Sequence, residues 1–252
     1  MRIRLPVLFG LALLALSASG CNLFAARYYN ARGLTYYKKG DYEKALADFN
    51  QAIRLSPFLA EPYTNRGLIE DLKGDYEQAI ADHDQAIRLR PALSMAYNNR
   101  AMVFLHKHDY ETALTDFGKA LSLNPRDALA HSNRALAYYH KGEFDRAVTD
   151  CDAAIRYDPT LAVAWNNRCL AYFEQQKYDL AISDCTEAIR LRPNFDEARL
   201  NRGLAYARTG DNANARAEFD QVQREGSSEA NRKRAGTLAA ELDTRVRNSP
   251  AR

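Results

Sequence analysis

The sequence predicts an all-α solenoid of six helix pairs closed by a C-terminal capping helix, and three observations carry that reading. The prolines Pro57, Pro91, Pro125, Pro159 and Pro193 stand 34 residues apart. The alanines Ala45, Ala79, Ala113, Ala147 and Ala181 keep the same step, as do Ala52, Ala86, Ala120, Ala154 and Ala188. Between the breakers, apolar residues recur at helical spacing, as in Tyr29, Gly33 and Tyr36 or Trp165, Cys169 and Tyr172. A period of this size marks units that bury their apolar faces only against their neighbours. The function of such a chain lies on an extended surface that holds a partner, not in a pocket that does chemistry.

The composition agrees. With 46% hydrophobic and 27% charged residues the chain has enough apolar surface to fold. The formal charge is +3, and Arg2 and Arg4 in the leader carry part of it. The nearly neutral remainder gives no electrostatic reason to expect nucleic acid.

Residues 1–20 lie outside the repeat. Arg2 and Arg4 precede the apolar run Leu5 to Leu16, which is shorter than the roughly 20 residues of a spanning helix. The pattern fits a cleaved export signal. Ala18-Ser19-Gly20-Cys21 resembles the lipobox of bacterial lipoproteins, with Ala18 in place of the usual leucine. The resemblance implies acylation of the Cys21 thiol, and Asn22 after it leans toward the outer membrane, facing the periplasm. The other readings are plain secretion with Cys21 free, and a retained anchor. Residues 21–25 then form a short anchor linker.

The repeats follow at 26–59, 60–93, 94–127, 128–161, 162–195 and 196–229. In the first, helix A spans Arg27 to Lys39, Gly40-Asp41 turns, helix B spans Tyr42 to Leu55, and Ser56-Pro57 breaks the chain. Positions 4, 8 and 11 of each repeat share a face of helix A in a large–small–large pattern. Helix B answers with Ala45, Phe49 and Ala52. The sixth repeat has Ser227 where proline is due, and residues 230–252 form a polar-faced capping helix and tail. Tyr29, Gly33, Tyr36, Ala45, Phe49, Ala52 and Pro57 resemble the signature of the tetratricopeptide repeat family. The resemblance implies a right-handed superhelix with helix A lining a concave groove, where partners bind as extended or helical peptides.

Two polar ladders run through the repeats. Position 6 is Asn65, Asn99, Asn133, Asn167 and Asn201. An amide both donates and accepts, so it can grip a peptide backbone without reading side chains. Neighbouring A helices on the order of 10 Å apart match about three residues of extended peptide. The ladder resembles that of the repeat superhelix in O-linked N-acetylglucosamine transferases, whose catalytic domain has no counterpart here. The alternative is that these asparagines cap or solvate helix A. Position 7 is Arg32, Arg66, Arg100, Arg134, Arg168 and Arg202, each followed sixteen residues later by an acid: Asp48, Asp82, Asp116, Asp150, Asp184 and Glu218. Planar guanidinium groups favour bidentate carboxylates. The pairs read as clamps between helices A and B, with a cationic groove as the alternative. Position 9 is Leu or Met throughout, which makes the groove partly apolar.

The remaining features are weaker. Cys151, Cys169 and Cys185 sit at core positions as small hydrophobes. Export permits a disulfide, and Cys169 with Cys185, sixteen residues apart on facing helices, is the pair to expect. In the second repeat Glu70 and His83 replace core aromatics and are expected to meet. His106 and His140 share a position near His108, but spacing supplies no third metal ligand. No phosphate loop, zinc-protease motif or nucleophile elbow occurs. No cofactor, metal or catalytic residue is therefore expected. The chain reads as a cell-envelope adaptor for a protein or extended peptide. Its rival is a structural protein whose groove takes its own tail or a second copy.

Overall fold

The structure is a computed structural model that describes the backbone of residues 6–248 and the side chains of 22–247. The leader's side chains and the Cys21 thiol lie outside the described residues. Among the described residues there are thirteen α-helices and no strand. The fold is an all-α solenoid of six helix pairs and a C-terminal helix, and the chain divides into two compact units after Leu123.

The first unit holds α1 (Pro6–Lys38), α2 (Tyr42–Leu55), α3 (Ala60–Lys73), α4 (Tyr76–Leu89), α5 (Ser94–His106) and α6 (Tyr110–Leu123). The second holds α7 (Ala128–His140), α8 (Phe144–Tyr157), α9 (Ala162–Glu174), α10 (Tyr178–Leu191), α11 (Asp196–Thr209), α12 (Asn212–Glu225) and α13 (Glu229–Asn248). Odd-numbered helices up to α11 are the A helices, and even-numbered ones the B helices. Helix A of the first repeat does not begin at Arg27. It continues α1 from upstream without a break, and no proline, glycine or cap residue interrupts Leu23 to Ala26.

The turn between A and B explains the local sequence. Its residue at position 15 adopts positive φ, as in Gly40 (76°), Gly74 (81°), Gly142 (78°) and Gly210 (87°). Lacking a Cβ, glycine takes this conformation without strain. His108 (59°) and Gln176 (61°) hold the same place in the third and fifth repeats. An aspartate next in line caps helix B: Asp41, Asp75, Asp109 and Asp211 accept from the backbone N–H three residues on, at 3.2–3.3 Å. That bond satisfies one of the N–H groups a helix start leaves open.

The core is built from positions 8 and 24. A Cβ added to Gly33 would meet Phe49 Cε1 at 2.6 Å, and one on Gly203 would meet Phe219 Cε1 at the same distance. The small residue on helix A therefore lets the ring of helix B lie against the backbone. Ala45, Phe49 and Ile69 form one such layer, and Cys169, Ala181, Cys185 and Ala205 another. In the fifth repeat the two cysteines replace the glycine and the ring, and they form a disulfide with Cα atoms 5.5 Å apart. Only Cys151 remains a buried free thiol among the described residues, and burial pushes its pKa up.

Candidate partner-binding face

Each position-7 arginine lies against helix B of its own repeat. Nε and Nη2 of Arg66 donate to the two carboxylate oxygens of Asp82 at 2.7 and 2.6 Å. Arg32 to Asp48, Arg100 to Asp116 and Arg134 to Asp150 repeat this fork at 2.7 Å for both bonds, and Arg168 to Asp184 at 2.7 and 2.8 Å. All five aspartates are buried. Burial raises the Asp184 carboxyl above its usual value, and Arg168 only partly offsets it. Burial acts the same way on Asp150, but Arg134 and a second donor, His131 at 3.2 Å, bring the net shift below the usual value. Arg202 donates to Glu218 through Nη2 alone. The longer acid does not fit the fork, and Arg202 Nε is left buried without a partner.

A third bond was not foreseen. The remaining nitrogen, Nη1, reaches back to helix B of the preceding repeat: Arg66 to Asn50, Arg100 to Asp84 and Arg168 to Asp152 at 2.6 Å, and Arg202 to Thr186 at 3.0 Å. These four arginines thus tie three helices, their own A and B and the B before. The signal was present in the sequence, since a polar residue stands sixteen positions before each of these four arginines as well as sixteen after.

The asparagines face inward more than a ladder gripping a peptide backbone requires. Asn65, Asn99 and Asn201 are 5%, 8% and 6% exposed. The donors of Asn65, Asn167 and Asn201 run between neighbouring A helices: Asn65 to Asn30 Oδ1 at 2.8 Å, Asn167 to the backbone oxygen and Oγ of Ser132 at 3.1 Å, and Asn201 to Asn166 Oδ1 at 2.9 Å. Asn99 Nδ2 and its counterpart Thr64 Oγ1 are both buried and unbonded. Asn133 is half-buried and has a partner of its own. The expectation of freely offered amides is therefore revised. Close helix packing uses the side chains as links between repeats.

Apolar residues are what the A-helix face does expose. In the first unit Leu72 is 58% and Met95 41% exposed, beside half-buried Leu34, Leu68 and Met102. In the second unit Leu129 is 48% exposed, beside half-buried Leu136, Val163, Leu170 and Leu204. Arg208 lies over the Phe173 ring at 5.7 Å, and Tyr139 donates to Glu174 at 3.3 Å.

The other expected contacts are corrected. Glu70 and His83 do not pair: the Glu70 carboxylate takes Lys73 at 3.3 Å, and neither ring nitrogen of His83 has a partner. Their positions share a core register, but Glu70 is long enough to turn toward the surface. His106 bonds Asp71 at 2.8 Å, which raises its pKa, and His108 bonds Tyr110 at 2.9 Å. Among the described residues no group of three or more His, Cys, Asp or Glu could hold a metal ion.

Tetratricopeptide repeat models match residues 26–59, 60–93, 98–162, 162–195 and 197–225. The chain belongs to the tetratricopeptide repeat family. No curated protein matches it. Among solved structures it is similar to Cut9–Hcn1 of the APC/C hetero-tetramer, with TM-score 0.79 and 17% identity over 86% of this chain. It spans only 42% of that chain. It is also similar to Pseudomonas aeruginosa pilF, with TM-score 0.71 and 15% identity over 86% of this chain and 98% of the other. YrrB, described as a tetratricopeptide repeat protein with an unusual peptide-binding site, matches with TM-score 0.51 and 22% identity over 68% of this chain and 88% of its own. At these identities the likeness is one of fold. The family's helix pairs form a scaffold for protein contacts.

Proposed function

We propose that this chain is a non-enzymatic adaptor of the bacterial cell envelope that holds an extended peptide or a partner protein against its A-helix face. The observation that carries this reading is the apolar stripe that the A helices expose within each unit, Leu72 and Met95 in the first and Leu129 in the second, in a family of protein-binding scaffolds. An isolated apolar residue on a surface needs no explanation, but Met95 and Leu129 are exposed at the same repeat position, and position 9 is Leu or Met in every repeat. The stripe supplies the contact area for such a partner. The YrrB likeness supports peptide as the partner class.

The envelope part of the reading rests on the leader and on lipid attachment at Cys21. The buried disulfide supports it, because such bonds persist in oxidising compartments and are rare in the cytosol. Among the described residues no helix is long and apolar enough to cross a membrane.

The test is in-cell photo-crosslinking from Leu129 and Met95, with exposed Lys119 on α6 as the control. A discrete adduct from the two face positions alone supports the adaptor. A self-adduct alone replaces it with self-association, and no adduct from either position removes it.

A further inference from the structure

The first repeat differs from the others on one face. At position 3 the later repeats carry Pro62, Ala96, Ala130, Ala164 and Ala198, all buried, the alanines at 0% exposure. At position 10 they carry Ile69, Val103, Ala137, Ala171 and Ala205, all at 0%. These residues are small or apolar because the preceding helix pair packs on them: Ile69 lies against Ala45 and Phe49, and Ala205 against Ala181 and Cys185. The first repeat has Tyr28 and Thr35 at these positions. Tyr28 is 55% exposed, Thr35 is exposed, and Phe24, one turn before Tyr28, is 78% exposed. No described element covers this end, whereas α13 covers the other end with Ala235, Ala239 and Leu242. A bare solenoid end normally carries a polar surface. This one carries two aromatic rings.

Charge decides what covers it. From Asn22 to Lys39 the chain has no carboxylate, but it has Arg27, Arg32, Lys38 and Lys39. Only Arg32 among these is tied to an acid, Asp48. Two copies meeting end to end would bring like charges together. An anionic bilayer surface attracts them. Helical register adds a second argument: Phe24 and Tyr28 are four residues apart along α1, so the two rings share one face of the helix. Exposed aromatic rings beside cations suit the headgroup zone of a membrane.

We infer that Phe24 and Tyr28 seat the uncovered end of the first repeat in the bilayer interface, with Arg27, Lys38 and Lys39 turned to anionic headgroups. This rests on the anchor reading of Cys21. Acyl chains tether the chain to the membrane, and the aromatic face orients the solenoid on it.

The test uses the full, processed chain with Phe24→Trp, reconstituted in phosphatidylethanolamine–phosphatidylglycerol vesicles with brominated acyl chains. Trp165, the native indole on α9, is the internal control in the parent protein. The added emission of the Phe24→Trp variant should fall roughly twofold or more in brominated vesicles, as for a ring at acyl-boundary depth, and Trp165 emission should not change. Tyr28→Glu should abolish that quenching. Intact mass separates the two readings. If Cys21 is acylated and the introduced indole is not quenched, the seat is wrong and the anchor stands. If Cys21 carries no acyl chain, the anchor reading fails, and the seat stands only if the unacylated chain still shows quenching on the same vesicles. A doubled solution mass that Phe24→Glu reverses would overturn the proposal in favour of a second copy.

Discussion

The ring of His83 lies against the backbone of Gly67, so close that a Cβ there would meet His83 Cε1 at 2.8 Å. It fills the place that Phe49, Phe117 and Phe219 fill in other repeats. It is 0% exposed, and neither ring nitrogen has a hydrogen bond. Burial holds its pKa down to about 4, against smaller opposing effects of Asp71 and Asp84, and Arg100 lowers it further. The folded pKa thus lies below that of an unfolded histidine, so the stability tied to neutral His83 is complete above roughly pH 6.5. It is lost as pH falls toward 4. His83→Phe should therefore reduce the loss of unfolding free energy between neutral pH and pH 4 by about 3 kcal/mol. Urea unfolding of both proteins across that range is the check, and parallel pH curves would contradict it.

The Cys169–Cys185 disulfide joins the two helices of one repeat across sixteen residues. Closing a loop of that size stabilises by about 3 kcal/mol in the chain-entropy model. Reduction, or Cys185→Ala, should lower stability by about that much. Cys151→Ala should keep the full redox dependence, because Cys151 is not in the bond. Denaturant titrations with and without reductant distinguish the three proteins.

Arg100 holds Asp116 on its own helix B and Asp84 on the one before. Removing it leaves Asp116 buried without its counter-charge. Arg100→Ala should cost about 3 kcal/mol, whereas Arg100→Met with Asp116→Leu should cost clearly less, since two matched apolar groups replace the pair. A charge reversal at Arg134 should likewise unfold the second unit's first repeat before it affects any ligand. Circular dichroism with chemical denaturation reads both.

Gln176 occupies at φ 61° the turn position that glycine takes in four other repeats. A side chain in that conformation costs about 1–2 kcal/mol. Gln176→Gly should raise the unfolding free energy by about the lower end of that range, read by denaturant titration, because glycine's unfolded-state entropy offsets part of the gain. The same exchange at Asp179, inside α10, should be destabilising.

The chain alone determined the architecture, because period and pattern are local properties. The 34-residue step of proline and alanine marks the first five repeats, and helix B of the first runs from Tyr42 to Leu55 as its spacing reads. The sixteen-residue offset between Arg66 and Asp82 is visible in sequence for the same reason, since it spans one helix pair of constant length. What only the tertiary structure decided depends on which neighbour a side chain meets. The asparagines read as an open ladder, but the approach of adjacent A helices directs the Asn65 amide to Asn30 and leaves apolar residues to face outward. Glu70 and His83 share a core register yet separate, because a flexible carboxylate can reach Lys73 near the surface while a short rigid ring cannot leave the core. Register says which residues share a face. Whether a polar group on that face is free for a partner depends on how closely the next helix packs against it.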